Sequence, residues 1–295
     1  MHQTGQIYRP PSEASVQRLE VTIGCSHNKC SFCTMYRKTP FRVAPLEDVE
    51  ADLKELHDRD EKITRIYLTN GDPFVLGTDR LVKIAELVHQ YLPEVEVLTC
   101  YASIQNLKAK SLEELKLLKS VGYDELYVGL ETAYAPAVKL INKGFTVEEA
   151  YENIGKLKEA GMKYSALLML GIGGKGHSKE SVEATAALLN KYPPYRVSPL
   201  STAVLRGSEL KELCDKGKYV QLTERELVDE EKMLLRALEI KDCIFFGSHP
   251  YNLITISGVL PQDREKIIEH LDSEMAAWDR DQPGFLDTIW KRADM

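Results

Sequence analysis

No apolar run in this chain approaches the roughly 18 residues a bilayer-spanning helix requires, so no membrane span is expected. The opening segment, "MHQTGQIYRPPSEASVQ", is polar and has no apolar signal core, which makes a cytoplasmic protein the expectation. Positive charge is also short: 38 Lys and Arg face 45 Asp and Glu, a formal net charge of −7. Proteins that neutralise a phosphate backbone carry a basic field, and the terminal "KRADM" is too short to supply one, so nucleic acid is not the expected partner. There is no low-complexity tract and no evident linker. A hydrophobic fraction of 43% with 28% charged residues is enough for a full globular core in a chain of 295 residues.

Strict apolar–polar alternation is missing too, which argues against a half-exposed antiparallel sheet. In its place stand near-continuous apolar runs at "VQRLEVTIG" (16–24), "TRIYLTN" (64–70), "EVEVLTCYA" (94–102), "DELYVGL" (124–130), "KYSALLMLGIG" (163–173) and "YRVSPLSTAVL" (195–205). Such runs suit parallel strands buried on both faces. Between them lie amphipathic helix patterns: Leu46, Val49, Leu53 and Leu56 share one face, as do Leu81, Ile84, Ala85 and Val88. Capping boxes mark helix starts at Ser111 with Glu114, Thr146 with Glu149 and Thr223 with Glu226. Recurrence at roughly the length of a βαβ unit predicts an α/β fold, either an open partial barrel or a doubly wound sheet. Residues 1–222 are expected to form this body. Residues 223–295 are expected as a helical extension packed on it. Ligands of either architecture gather at the carboxyl ends of the strands.

Cysteine is sparse, six in all, yet three of them crowd one stretch, "VTIGCSHNKCSFCTMY", directly after the first strand run. In a reducing cytosol such a cluster points to metal ligation or catalysis rather than disulfides. Cys25, Cys30 and Cys33 follow C-x4-C-x2-C. The same spacing opens the plant-type [2Fe–2S] ferredoxin site, but the next cysteine, Cys100, falls inside a predicted buried strand. A structural zinc site would recruit His27 as fourth ligand, though residues 25 and 27 are awkwardly close for one ion. A third possibility is a [4Fe–4S] cluster held by three thiolates, leaving one iron open.

The last possibility comes with a resemblance. "CSHNKCSFC", with Phe32 before the final cysteine, resembles the signature of the radical S-adenosylmethionine (SAM) superfamily, with one residue more than usual between the first two cysteines. "IYRPPSEA", "NGDPF", "YASIQNL", "GYDELYVGLETA", "LMLGIGG", "VLRGSEL" and "GVLPQDREKII" follow in order and resemble the iron–sulfur oxidoreductase branch related to elongator and methylthiotransferase radical SAM domains. The resemblance implies a partial (β/α)6 TIM-like barrel. It also implies Cys25, Cys30 and Cys33 on a [4Fe–4S] cluster, SAM as cosubstrate, and a flavodoxin- or ferredoxin-like electron donor. By position it places Gly71 and Asp72 at the SAM amino group, Ser103 and Glu131 at strand ends beside SAM or substrate, and Gly171 and Gly173 near the adenine. Tyr36 and Arg37, just past the cysteines, are further candidates to line the site. Each also has an ordinary reading: Asn-Gly-Asp-Pro makes a tight turn unaided, and Glu131 can simply open a loop.

"GIGGKG" (171–176) also fits the G-x-G-x-x-G dinucleotide fingerprint, but no acidic residue closes the following strand to take a ribose. An NAD-dependent oxidoreductase and a non-catalytic iron–sulfur electron carrier are therefore the competing functions. With no corrinoid module, acetyltransferase domain or second cysteine cluster in the sequence, a small organic substrate is expected.

Overall fold

The computed structural model describes residues 1–59 and 62–290; the "KRADM" segment lies outside the described residues. The strands are β1 (Gln17–Glu20), β2 (Thr22–Ile23), β3 (Arg42–Val43), β4 (Arg65–Thr69), β5 (Val97–Ala102), β6 (Glu125–Glu131), β7 (Lys163–Leu170), β8 (Arg196–Ser201), β9 (Cys243–Phe246) and β10 (Ser257–Leu260). The helices are α1 (Leu46–Asp58), α2 (Thr78–Tyr91), α3 (Ile104–Lys108), α4 (Leu112–Ser120), α5 (Ala135–Leu140), α6 (Val147–Glu159), α7 (Ser178–Lys191), α8 (Glu209–Asp215), α9 (Glu224–Ala237) and α10 (Arg264–Asp281). Each of the apolar runs read from sequence contains a strand. The α/β class is as expected.

The chain divides into two compact units. The first holds residues 1–28, 35–129 and 152–164; the second holds 29–34, 130–151 and 165–295. In the first unit β1, β4, β5 and the start of β6 pair in parallel, with Leu19 opposite Leu68 and Cys100 opposite Leu126. Register puts Arg18 beside Tyr67 and Glu20 beside Thr69, so these four share one face of the sheet while Leu19 and Leu68 take the other. That other face is covered by α1 and α2, whose Val49, Leu53, Leu56, Leu81, Ile84, Ala85 and Val88 are all buried, as the sequence pattern predicts. The opposite face is aromatic and polar. Tyr67, Tyr101 and Tyr127 meet edge to face. Below them Arg65 bonds Glu13 at 2.7 Å and Glu125 at 2.6 Å, and Tyr127 donates to Glu13 at 2.5 Å.

In the second unit β7, β8 and β9 are parallel and β10 turns back antiparallel to β9. The expected helical extension therefore contains two strands as well. The caps read from sequence are present: Ser111, Thr146 and Thr223 each accept the backbone N–H three residues on. The first apolar run does not continue as one strand. Pairing to β4 ends at Glu20, and Thr22–Ile23 turn to pair antiparallel with Arg42–Val43.

Candidate functional site

Gly24 follows β2 at φ +76°, a left-handed conformation that costs glycine nothing, and a Cβ there would meet the Thr39 carbonyl oxygen at 3.0 Å. The turn sends the chain into the cysteine loop. Within the first unit the loop is tied to the end of β4: the Gly71 N–H donates to the Gly24 carbonyl at 3.1 Å, and the Ser26 hydroxyl donates to the Asp72 carboxylate. Tyr36 closes the other side. Its buried ring lies so near Gly71 that a Cβ on that glycine would stand 2.4 Å from Cε2. Asn28 holds the return of the loop by donating to the Tyr36 carbonyl at 2.7 Å. Cys25 is half-buried in this frame, with Gly71 and the buried Asp72 lashed beside its neighbours. Ser103 caps α3: its hydroxyl accepts the Asn106 N–H at 3.2 Å, and its own N–H donates to Asn106 Oδ1 at 2.8 Å.

The second unit carries Cys30, Phe32 and Cys33, each half-buried. The Cys33 N–H donates to the Cys30 carbonyl at 3.2 Å, a tight turn that puts both thiols on one short segment. Buried Ser31 anchors that segment twice, donating its N–H to Ile141 and accepting from the Leu210 N–H. Phe32 packs against a core patch with Ile141, Met169, Ile172 and Tyr219.

One residue that sequence reading did not single out organises this half. The Lys143 ammonium lies 2.5 Å from the Glu131 carboxylate and 5.7 Å over the Phe32 ring. Burial opposes its charge, but Glu131 and the sulfurs of Cys30 and Cys33 outweigh that and raise the lysine above its usual value. Glu131, the last residue of β6, holds φ +62°, a conformation uncommon for a non-glycine residue.

The glycine loop after β7 is built differently from a phosphate cradle. The Gly171 N–H is taken by the buried Glu230 carboxylate at 2.7 Å, and the Gly171 carbonyl accepts from Tyr219 at 2.7 Å. A Cβ at Gly171, whose φ is +79°, would meet Leu227 at 2.7 Å, while one at Gly173 would meet Ser181 at 3.3 Å. These glycines serve close packing of α9 and α7. Among the described residues no group of three or more His, Cys, Asp or Glu side chains is gathered closely enough to hold a single metal ion.

A tightly turned loop with three cysteines, following the first strand of a parallel α/β chain, is the setting in which one protein family matches. The Radical SAM superfamily model fits residues 19–189, more than half of the chain. The chain belongs to the radical SAM superfamily. Members of this superfamily use a [4Fe–4S] cluster and SAM. The chain is 24% identical over 220 residues to the uncharacterized protein MJ0486 of Methanocaldococcus jannaschii, covering 71% of this chain and 67% of that one. It is 21% identical over 253 residues to the tRNA uridine(34) acetyltransferase of Methanocaldococcus infernus, covering 70% of this chain but 46% of the relative. To heme chaperone HemW of Lactococcus lactis it is 26% identical over 141 residues, covering 47% of this chain and 36% of HemW. The chain thus spans well under two thirds of the length of the latter two relatives.

Solved structures show the fold. HydG, a maturase of the [FeFe]-hydrogenase, superposes with a TM-score of 0.55 at 17% identity, covering 86% of this chain and 54% of HydG. Methylornithine synthase superposes with a TM-score of 0.54 at 16% identity over 88% and 81%. The Methanocaldococcus infernus Elp3 gives 0.54 at 15% over 88% and 64%. The fold is the partial TIM-like barrel of these radical SAM proteins, mostly parallel and with helices between the strands. Among the described residues no helix is long and apolar enough to cross a membrane.

Proposed function

We propose that Cys25, Cys30 and Cys33 hold a [4Fe–4S] cluster and that the chain is an enzyme acting by reductive cleavage of SAM on a small organic substrate. The observation that carries this reading is the pairing of the three-thiol loop with Lys143. A buried ammonium charge lies near Cys30 and Cys33, where it would offset the negative charge that thiolate ligands bring to a cluster. The donor set suits the group. Three half-buried sulfurs sit on a backbone fixed by Gly24, Ser31 and Asn28, and a cation opposes the negative charge of a thiolate-ligated cluster.

When bound and reduced by a flavodoxin- or ferredoxin-like donor, the cluster with SAM supplies a 5′-deoxyadenosyl radical that takes a hydrogen atom from substrate. The chain's own residues bind, orient and shield. Gly71 and Asp72, fixed to the cysteine loop through Gly24 and Ser26, offer a carbonyl and a carboxylate to the SAM ammonium. Glu131 positions Lys143 over Phe32 and keeps that cation from straying. The Gly171 and Gly173 loop, with Ile172 packed in the core next to Phe32, closes the adenine side against water. Ser103 orders the turn after β5 from its cap.

A dinucleotide reading of residues 171–176 is disfavoured by the same geometry. The first amide of that loop already donates to Glu230 Oε1, so it is not offered to a pyrophosphate. A tRNA substrate, as the acetyltransferase relative's name gives for that protein, draws no support from the acidic balance of this chain.

Anaerobic reconstitution with iron and sulfide tests the ligand set. The native chain is expected to take up close to four irons and, once reduced, to give an electron paramagnetic resonance signal that changes on adding SAM. Each single Cys25→Ala, Cys30→Ala or Cys33→Ala variant is expected to lose most of that iron. Full iron content in any of the three would remove that cysteine from the set. A cluster whose signal ignores SAM would favour an electron carrier.

A further inference from the structure

Within the first unit a polar cavity of about 380 Å³ opens along β1, a volume in the range of small-molecule sites. Its walls include Arg9, Val16, Arg18, Glu20 and Thr69. Arg18 and Glu20 project from the same face of β1, in register with Tyr67 and Thr69 of β4. That face is the polar, aromatic one, and the cavity also takes in Met1, His2 and Arg59, beside the end of α1. Thr69 and Glu20 are the last residues of their strands, and the chain beyond them leads to Gly71–Asp72 and to Cys25. Glu20 and Thr69 are thus the walls of the cavity nearest along the chain to this unit's share of the proposed SAM site.

Its charge is unbalanced. Arg9 is half-buried, and its only hydrogen bond among the described residues is a long one, 3.4 Å, to the Val16 carbonyl. Arg18 is half-buried as well, and its guanidinium makes no hydrogen bond or ion pair among the described residues. The carboxylates nearby are engaged elsewhere: Glu20 accepts the Thr4 N–H at 2.8 Å, and Glu13 is held by Arg65 and Tyr127. Burial, and next the Arg18 charge, lower the pKa of Arg9, so the two guanidiniums repel one another in the free protein. Two half-buried guanidiniums, with ten N–H donors between them and no carboxylate in ion-pair contact among the described residues, line this cavity together with Glu20.

We propose that this cavity receives the anionic group of the substrate, a carboxylate or phosphate of a small molecule, gripped by Arg9 and Arg18. The proposal rests on the small-molecule reading given above and narrows it to anionic substrates. Arg65 plays no part in the grip, because Glu13 and Glu125 already neutralise it.

The test is titration calorimetry on the full chain without iron or SAM, with succinate and inorganic phosphate as probes against sodium chloride of matched ionic strength. Saturable binding of one or both anions is expected, with affinity at least tenfold weaker in Arg9→Gln and in Arg18→Gln. Arg18→Lys, which keeps the charge and loses the fork, is expected to fall between native and Gln. Thermal melting of each variant shows whether it is folded. Saturation by succinate alone assigns a carboxylate substrate, and by phosphate alone a phosphorylated one. Binding of neither anion, or binding unchanged in both folded Gln variants, overturns the proposal. Because no cluster or SAM is present, a failure here leaves the radical reading intact, and a failure of SAM cleavage leaves this result intact.

Discussion

The Lys143 ammonium rests 2.5 Å from the Glu131 carboxylate, with 14% and 8% of the two side chains exposed, on the segments that face Cys30 and Cys33. A buried ion pair of this kind is costly to break from one side, since the remaining charge stays desolvated. Lys143→Met and Glu131→Gln are each expected to lower unfolding stability by about 3 kcal/mol. The double variant should lose clearly less than the two single losses added together. Urea unfolding of the native chain and the three variants measures this. Strict additivity would show that the two side chains do not stabilise one another.

Gly71 and Tyr36 make a second coupled pair. A methyl group on Gly71 would intrude to 2.4 Å from the Tyr36 ring, which is buried and also meets Tyr8 edge to face. Gly71→Ala is expected to cost about 1–3 kcal/mol through overpacking. In a Tyr36→Leu background the same change should cost much less, because the obstructing ring is gone. Equal penalties in the two backgrounds, read from melting curves, would contradict the contact.

The chain's own patterning made much of this fold legible, and the reasons it stopped are physical. Runs such as 64–70 and 195–205 identify strands because both faces are buried, and Ser111, Thr146 and Thr223 announce helices because a cap is a local hydrogen bond. The two-residue pair Thr22–Ile23 with Arg42–Val43 has too short a ladder to leave a pattern. β9 and β10 are four residues each and hide in what reads as a helical tail. At the site, the cysteines stand out by type and spacing, and Gly71 and Asp72 by position. Lys143 does not: it sits in "INKGF", a polar stretch, and acquires meaning only when the fold brings it to Glu131 and Phe32. Glu230 and Glu231 read as the wet side of an amphipathic helix, yet both are buried.

Glu231 gives a pH-dependent consequence. Burial pushes its carboxyl up to about 8, its Oε1 has no hydrogen-bond partner among the described residues, and a Cβ on Gly247 would touch that oxygen at 2.8 Å. In the unfolded chain the group returns to 4.5. Between these values the fold keeps a proton that the unfolded chain has released, so this group makes stability fall as pH rises from about 4.5 through 8. Glu231→Gln removes that slope. Its stability relative to the native chain should improve by about 3 kcal/mol between pH 5 and pH 8, measured by urea unfolding at both values. A variant that tracks the native chain at both pH values would contradict a protonated Glu231.

One anaerobic assay shows whether the three-cysteine loop makes this chain a radical SAM enzyme. The chain is reconstituted with iron and sulfide and reduced with dithionite. SAM is then added, and 5′-deoxyadenosine is quantified for the native protein and for Cys30→Ala. 5′-Deoxyadenosine is expected from the native protein and none above background from Cys30→Ala. A native protein that carries its cluster and binds SAM, yet releases no 5′-deoxyadenosine, would contradict it.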